Sequence, residues 1–108
     1  MPHLILLGDS IFDNARYVPG EPDVVRQVQA ALPDGWTASL RAVDGATTHK
    51  LPAQVARLPR DPSHLVVSSG GNDALGPIEP SAQGGTKMAK AITRLAVSDW
   101  RLQVVANP

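Results

Sequence analysis

Ser10 offers a hydroxyl, Gly45 a backbone N–H with no side chain in front of it, and Asn72 a side-chain amide beside two glycines. Acyl transfer needs this set: a nucleophile for the carbonyl carbon, and donors for the oxygen that turns negative in the tetrahedral intermediate. The three residues lie in GDSIFDN (residues 8 to 14), DGATT (44 to 48) and SGGNDALG (69 to 76). Each alone has an ordinary reading. A serine or asparagine in such a stretch serves turns and helix caps, and a glycine there supplies a positive φ. Asp9 and Asp73 adjoin key residues and read as groups that order their own loops. Asp13 and Asn14 read equally as shapers of a pocket mouth and as solvated loop residues.

The elements between these stretches decide whether they can meet. Leu4, Ile5, Leu6 and Leu7 form an apolar run too short for a membrane span or a signal-peptide core, so it predicts a buried strand that Gly8 breaks. Pro22 followed by Val24, Val25, Val28, Ala31 and Leu32 has helical spacing, closed by Pro33, Asp34 and Gly35. Residues 36 to 43 alternate, with Trp36, Ala38, Leu40 and Ala42 on one side, and predict a half-exposed edge strand. A second helix carries Leu51, Val55 and Leu58, with Pro52 in its first turn and Pro59 as its stop. Leu65, Val66 and Val67 predict a third strand.

Residues 77 to 86, with two prolines and two glycines, read as loop. Thr86 then caps a third helix whose inner face is Met88, Ile92 and Leu95. Residues 102 to 106 are a candidate fourth strand, and Trp36 and Trp100 read as packing residues. Strand–helix alternation implies right-handed βαβ units and a parallel sheet, in one domain without repeats. In such a sheet the loops after strands one, two and three share the carboxyl edge, where open α/β sheets bind ligands.

Composition removes competing classes. The chain has 108 residues, 43% hydrophobic and 19% charged, enough for one small globular domain. Ten basic residues balance ten acidic ones, so there is no bulk charge to recruit nucleic acid or an acidic membrane. With no cysteine there is neither a disulfide framework nor thiolate chemistry. Three scattered histidines make no zinc site. GGTK at residues 84 to 87 lacks phosphate-loop spacing, and no GxGxxG follows a strand. The lack of a leader segment makes the cytoplasm the expected location.

The three blocks in this order and spacing resemble the SGNH hydrolases, also called GDSL-type esterases and lipases, over residues 3 to 76. The resemblance implies a three-layer α/β/α sandwich with a parallel, flavodoxin-like sheet. It implies that Ser10 is the nucleophile, and that its own N–H, the Gly45 N–H and the Asn72 amide form the oxyanion hole. The substrate it implies is a small-molecule ester, cleaved through an acyl-serine intermediate without metal or organic cofactor. Ile11 stands where the family name has leucine, an apolar exchange that leaves the chemistry alone.

The family takes its base from a DxxH block after a fifth strand. This chain ends at Asn107 and Pro108 without one, and from Pro77 onward it departs from the pattern, as an incomplete domain with a divergent tail would. A shifted reading frame, an early stop or a natural short form would each produce that. Asp61, Pro62, Ser63 and His64 spell DxxH, but His64 opens the third strand. A rise of about 3.3 Å per residue puts it roughly 15 to 20 Å from the loop of Asn72. His3 is excluded in the same way, and His49, on the correct side, is expected to open a helix facing solvent. The expectation is an impaired ester hydrolase. The alternatives are an inactive remnant or binding module, and a site whose base comes from a second chain. A third strand without a neighbour would leave an open apolar edge, available for self-association or a partner strand.

Overall fold

The computed structural model describes residues 1–74 and 82–98. Strand β1 (His3–Gly8) is central and runs parallel to both neighbours, β2 (Thr37–Leu40) and β3 (His64–Ser68), in the order β2-β1-β3. This is a small α/β domain whose three described strands are parallel in the order 2-1-3. Residues of β1 alternate between two covered faces, which is why its apolar run is unbroken. Leu4 and Leu6 enter a core with Ile11, Phe12, Val24, Val28 and Ile92. Helix α1 (Val24–Ala31) and helix α4 (Ala82–Ser98) pack together on that face. Between β3 and α4, the stretch read as a glycine-bearing turn holds a single helical turn, α3 (Gly71–Ala74), which carries Asn72 and Asp73. Since β2 and β3 flank β1 on opposite sides, right-handed crossovers send α2 (Leu51–Val55) to the other face.

Local chemistry sets the boundaries. The Asp23 carboxylate accepts the Arg26 N–H (3.1 Å) as N-cap of α1, and the Asn14 amide oxygen accepts the Val24 N–H (3.0 Å). β2 is an edge strand with Trp36, Ala38 and Leu40 against the core, as its alternation predicts. It is shorter than the predicted 36 to 43. The amides of Arg41 and Ala42 both donate to the Leu6 carbonyl (2.9 and 3.0 Å), and this doubled bond breaks the regular ladder.

Two helices differ from their sequence pattern. α2 ends at Val55, four residues before Pro59, after a 3₁₀ turn at Thr48–Lys50. It buries Gln54 and leaves Val55 about half exposed. α4 begins at Ala82 rather than after Thr86. Two glycines are tolerated there because Gly85 lies against α1, where a Cβ would meet Val24 at 3.3 Å and Gln27 at 3.1 Å. Thr86 sits inside the helix, its hydroxyl donating to the Ala82 carbonyl (3.0 Å) and to Gln27 of α1. Ile92 is buried as expected, whereas the side chains of Met88 and Leu95 lie outside the described residues. The candidate strand at 102 to 106 and Trp100 also lie outside them.

On the described sheet β3 is a terminal strand, and Leu65 and Val67 are about half exposed. Among the described residues no helix is long and apolar enough to cross a membrane.

Candidate active site

The loops after β1, β2 and β3 converge at the carboxyl edge of the sheet and are cross-tied by side chains. The Asp13 carboxylate accepts the Asp44 N–H at 2.7 Å, joining the first loop to the second. The Asn72 amide donates to the Ala46 carbonyl at 2.8 Å, joining the third to the second. Asp73 adds to that junction, accepting the Thr48 N–H at 3.1 Å and its hydroxyl at 2.9 Å. Asp73 thus bridges two loops instead of ordering only its own. Asp13 thus serves as a tie between two loops, while Asn14 is fully buried and caps α1.

Ser10 lies in a tight turn. The amides of Phe12 and Asp13 both donate to the Asp9 carbonyl (3.0 and 2.9 Å), and the Asp9 carboxylate accepts the Ile11 N–H at 3.0 Å. Burial pushes the Asp9 carboxyl above its ordinary range. The Ile11 N–H opposes that shift, and the negative charge of Asp73 adds to it. Ser10 is fully enclosed. The turn is anchored from beneath: the Gln54 side chain accepts the Gly8 N–H at 2.8 Å and donates to the Gly8 carbonyl at 2.7 Å. This amide-to-backbone clamp was not anticipated. A lone glutamine on a helix carries no periodic signal, and only the meeting of α2 with the end of β1 gives it a partner.

Gly45 adopts φ +83° and is exposed, with nothing within 4 Å of the place a Cβ would occupy. Its N–H has no acceptor among the described residues, so its donor is open to a ligand. The Asn72 amide keeps one N–H beyond the bond to Ala46, while its carbonyl oxygen is buried without a donor among the described residues.

The histidines sit where the strand geometry predicts. His3 and His64 are the first residues of β1 and β3, at the amino edge. There His3 Nε2 is 2.7 Å from the Ser39 hydroxyl and Nδ1 3.5 Å from Asp61, while His64 Nδ1 is 2.9 Å from the Ser63 hydroxyl. The His64 ring also lies against Trp36, with centroids 5.1 Å apart. DPSH is therefore part of a polar seam that ties β1, β2 and the approach to β3. His49 is exposed on the 3₁₀ turn after Gly45. Among the described residues no group of three His, Cys, Asp or Glu side chains could hold a metal ion.

Residues 6–105 match the model of the GDSL-like lipase/acylhydrolase family. The match runs past Gly76, where the three-block resemblance stops, and takes in most of the chain. No curated protein and no solved structure matches the chain.

Proposed function

Because the chain belongs to the GDSL-like lipase/acylhydrolase family, we propose that it acts on carboxylic esters through Ser10. The observation that carries this reading is the cross-tying of the three loops by Asp13, Asn72 and Asp73, which brings the three blocks to one edge. In the proposed reaction the Ser10 oxygen attacks the ester carbonyl and loses its proton. Charge collects on the carbonyl oxygen, which accepts from the N–H groups of Ser10 and Gly45 and from the second N–H of Asn72. Collapse expels the alcohol, which takes up a proton, and water then cleaves the acyl-serine to release the acid and restore the hydroxyl. Neither His3 nor His64 is assigned as base, since both stand at the opposite edge of the sheet, and His49 faces solvent. The expected turnover is accordingly low, on the order of the 10³- to 10⁴-fold acceleration that serine hydrolases keep after losing a triad member.

One observation favours a second reading, a ligand-binding module without turnover: Ser10 is fully enclosed, so acylation requires the loops around it to open.

The test is hydrolysis of a short-chain activated ester by the chain and by Ser10→Ala, with mass spectrometry of the chain after a fluorophosphonate. The ester-hydrolase reading expects loss of hydrolysis in the variant and a single phosphonyl adduct on the peptide containing Ser10. Equal rates in both proteins, or an adduct on Ser39 beside His3, would overturn it.

A further inference from the structure

Gly45 also lines a cleft of about 690 Å³ between the carboxyl end of β2 and helix α2, within the size range of small-molecule sites. Its walls are mostly apolar, including Leu40, Val43, Ala46 and Ala53, and its cations are Arg41, Lys50 and Arg57. Three cations on one cleft are notable in a chain whose formal net charge is zero. The ion pairs among the described residues, His3–Asp61, Arg16–Asp44 and Arg26–Asp23, use none of them. Asp44, the one acid on the wall, is also engaged by the Tyr17 hydroxyl at 2.9 Å. Arg41 is held in place, donating to the carbonyls of Arg57 (3.1 Å) and Leu40 (3.0 Å). Those neutral acceptors orient the guanidinium without cancelling its charge.

We infer that this cleft holds the charged end of an anionic ester, whose carboxylate or phosphate is joined to the scissile carbonyl by a short apolar chain. The inference rests on the ester-hydrolase reading and adds the substrate class. A carbonyl oxygen on the Gly45 N–H leaves the adjoining part of the molecule beside the cleft. The apolar walls take the methylene groups, and the charge meets the half-buried Arg41 together with the exposed Lys50 and Arg57, whose attractions add. Gln54 connects the two regions, lining the cleft while its amide clamps Gly8, two residues before Ser10.

The experiment titrates the ¹⁵N-labelled Ser10→Ala chain with monomethyl adipate and, separately, with uncharged dimethyl adipate, following backbone amides by NMR. The background variant prevents turnover, so charge preference is read independently of catalysis. The expected result is movement of the Gly45, Ala46 and Ala53 amides, with the monoanion binding about fivefold tighter or more. Adding Lys50→Gln and Arg57→Gln, both at exposed positions, should remove about twofold per cation and so most of the preference, with amides elsewhere unchanged as the check on folding. Raising NaCl to about 0.5 M should likewise shrink the preference. Equal affinity for the two esters, shifts confined to other regions, or no binding of either would overturn the inference. Charge preference without hydrolysis in the wild-type chain would instead retain the cleft and refute the esterase reading. Hydrolysis without charge preference would do the reverse.

Discussion

At Gly8 the backbone turns with φ +127°, and a Cβ there would lie 1.8 Å from the carbonyl oxygen of Ser68, its register partner on β3. Neither the backbone nor the neighbouring strand can yield, so Gly8→Ala is expected to cost about 3 kcal/mol or more, visible as loss of the urea transition. Gln54→Leu leaves the Gly8 N–H buried without a partner, at about 1 to 3 kcal/mol, while the Gly8 carbonyl keeps the Val43 N–H at 3.1 Å. Chemical denaturation should show this as a large fall in midpoint, while Ala53→Ser nearby leaves the midpoint almost unchanged. Asp9 gives a pH signature. Its folded-state pKa lies above its ordinary 3.8, so between those two values the native state holds more proton than the unfolded one. Stability therefore falls as pH rises through that window and regains the loss on acidification. Asp9→Asn keeps the acceptor for Ile11 and should flatten that part of the stability profile; an unchanged profile would refute the assignment.

Helix α4 is held where propensity alone would not place it. Its Gly84–Gly85 pair weakens the helix by itself, about 1 kcal/mol per glycine relative to alanine. Contact with α1 decides the matter, because Gly85 lets Val24 and Gln27 come to 3.3 and 3.1 Å from where a Cβ would stand, closer than a side chain ordinarily packs. Propensity predicts that Gly85→Ala stabilises. The packing predicts the opposite, since Val24 is fully buried and cannot retreat, and overpacking costs typically about 1 to 3 kcal/mol. A thermal melt of Gly85→Ala should thus shift downward, and an upward shift would show that α1 and α4 do not meet as closely as described.

Across the molecule, the two faces of the sheet are unequal. One carries α1, α4 and the main core, whereas on β3 Leu65 and Val67 are about half exposed. On the described sheet these apolar residues sit on a terminal strand, and such strands invite pairing with another chain. Sedimentation velocity across a concentration series should show reversible association. Leu65→Lys with Val67→Thr should suppress it, and a monomer at every concentration would exclude that edge as a contact.

Unlike the helical turn at Gly71–Ala74, the strand run 4 to 7, the alternation of β2, the order of the three described strands and the positions of the three site loops were legible along the chain. Their signals are local, residing in hydrophobic period, punctuation by glycine and proline, and the residue types after each strand. His3 and His64 could also be set apart from the site in advance, since strand rise depends on sequence separation alone. What tertiary structure decided were meetings between distant segments. Gln54 closes on Gly8, Asp73 bridges to Thr48, Asn14 caps α1 across a loop, and the start of α4 moves to Ala82 because Gly85 can approach Val24. None of these has a periodic signature. A polar side chain or a glycine is indifferent to its surroundings until another element supplies the unsatisfied backbone group or the close surface. That partner is fixed only when the helices settle on the sheet.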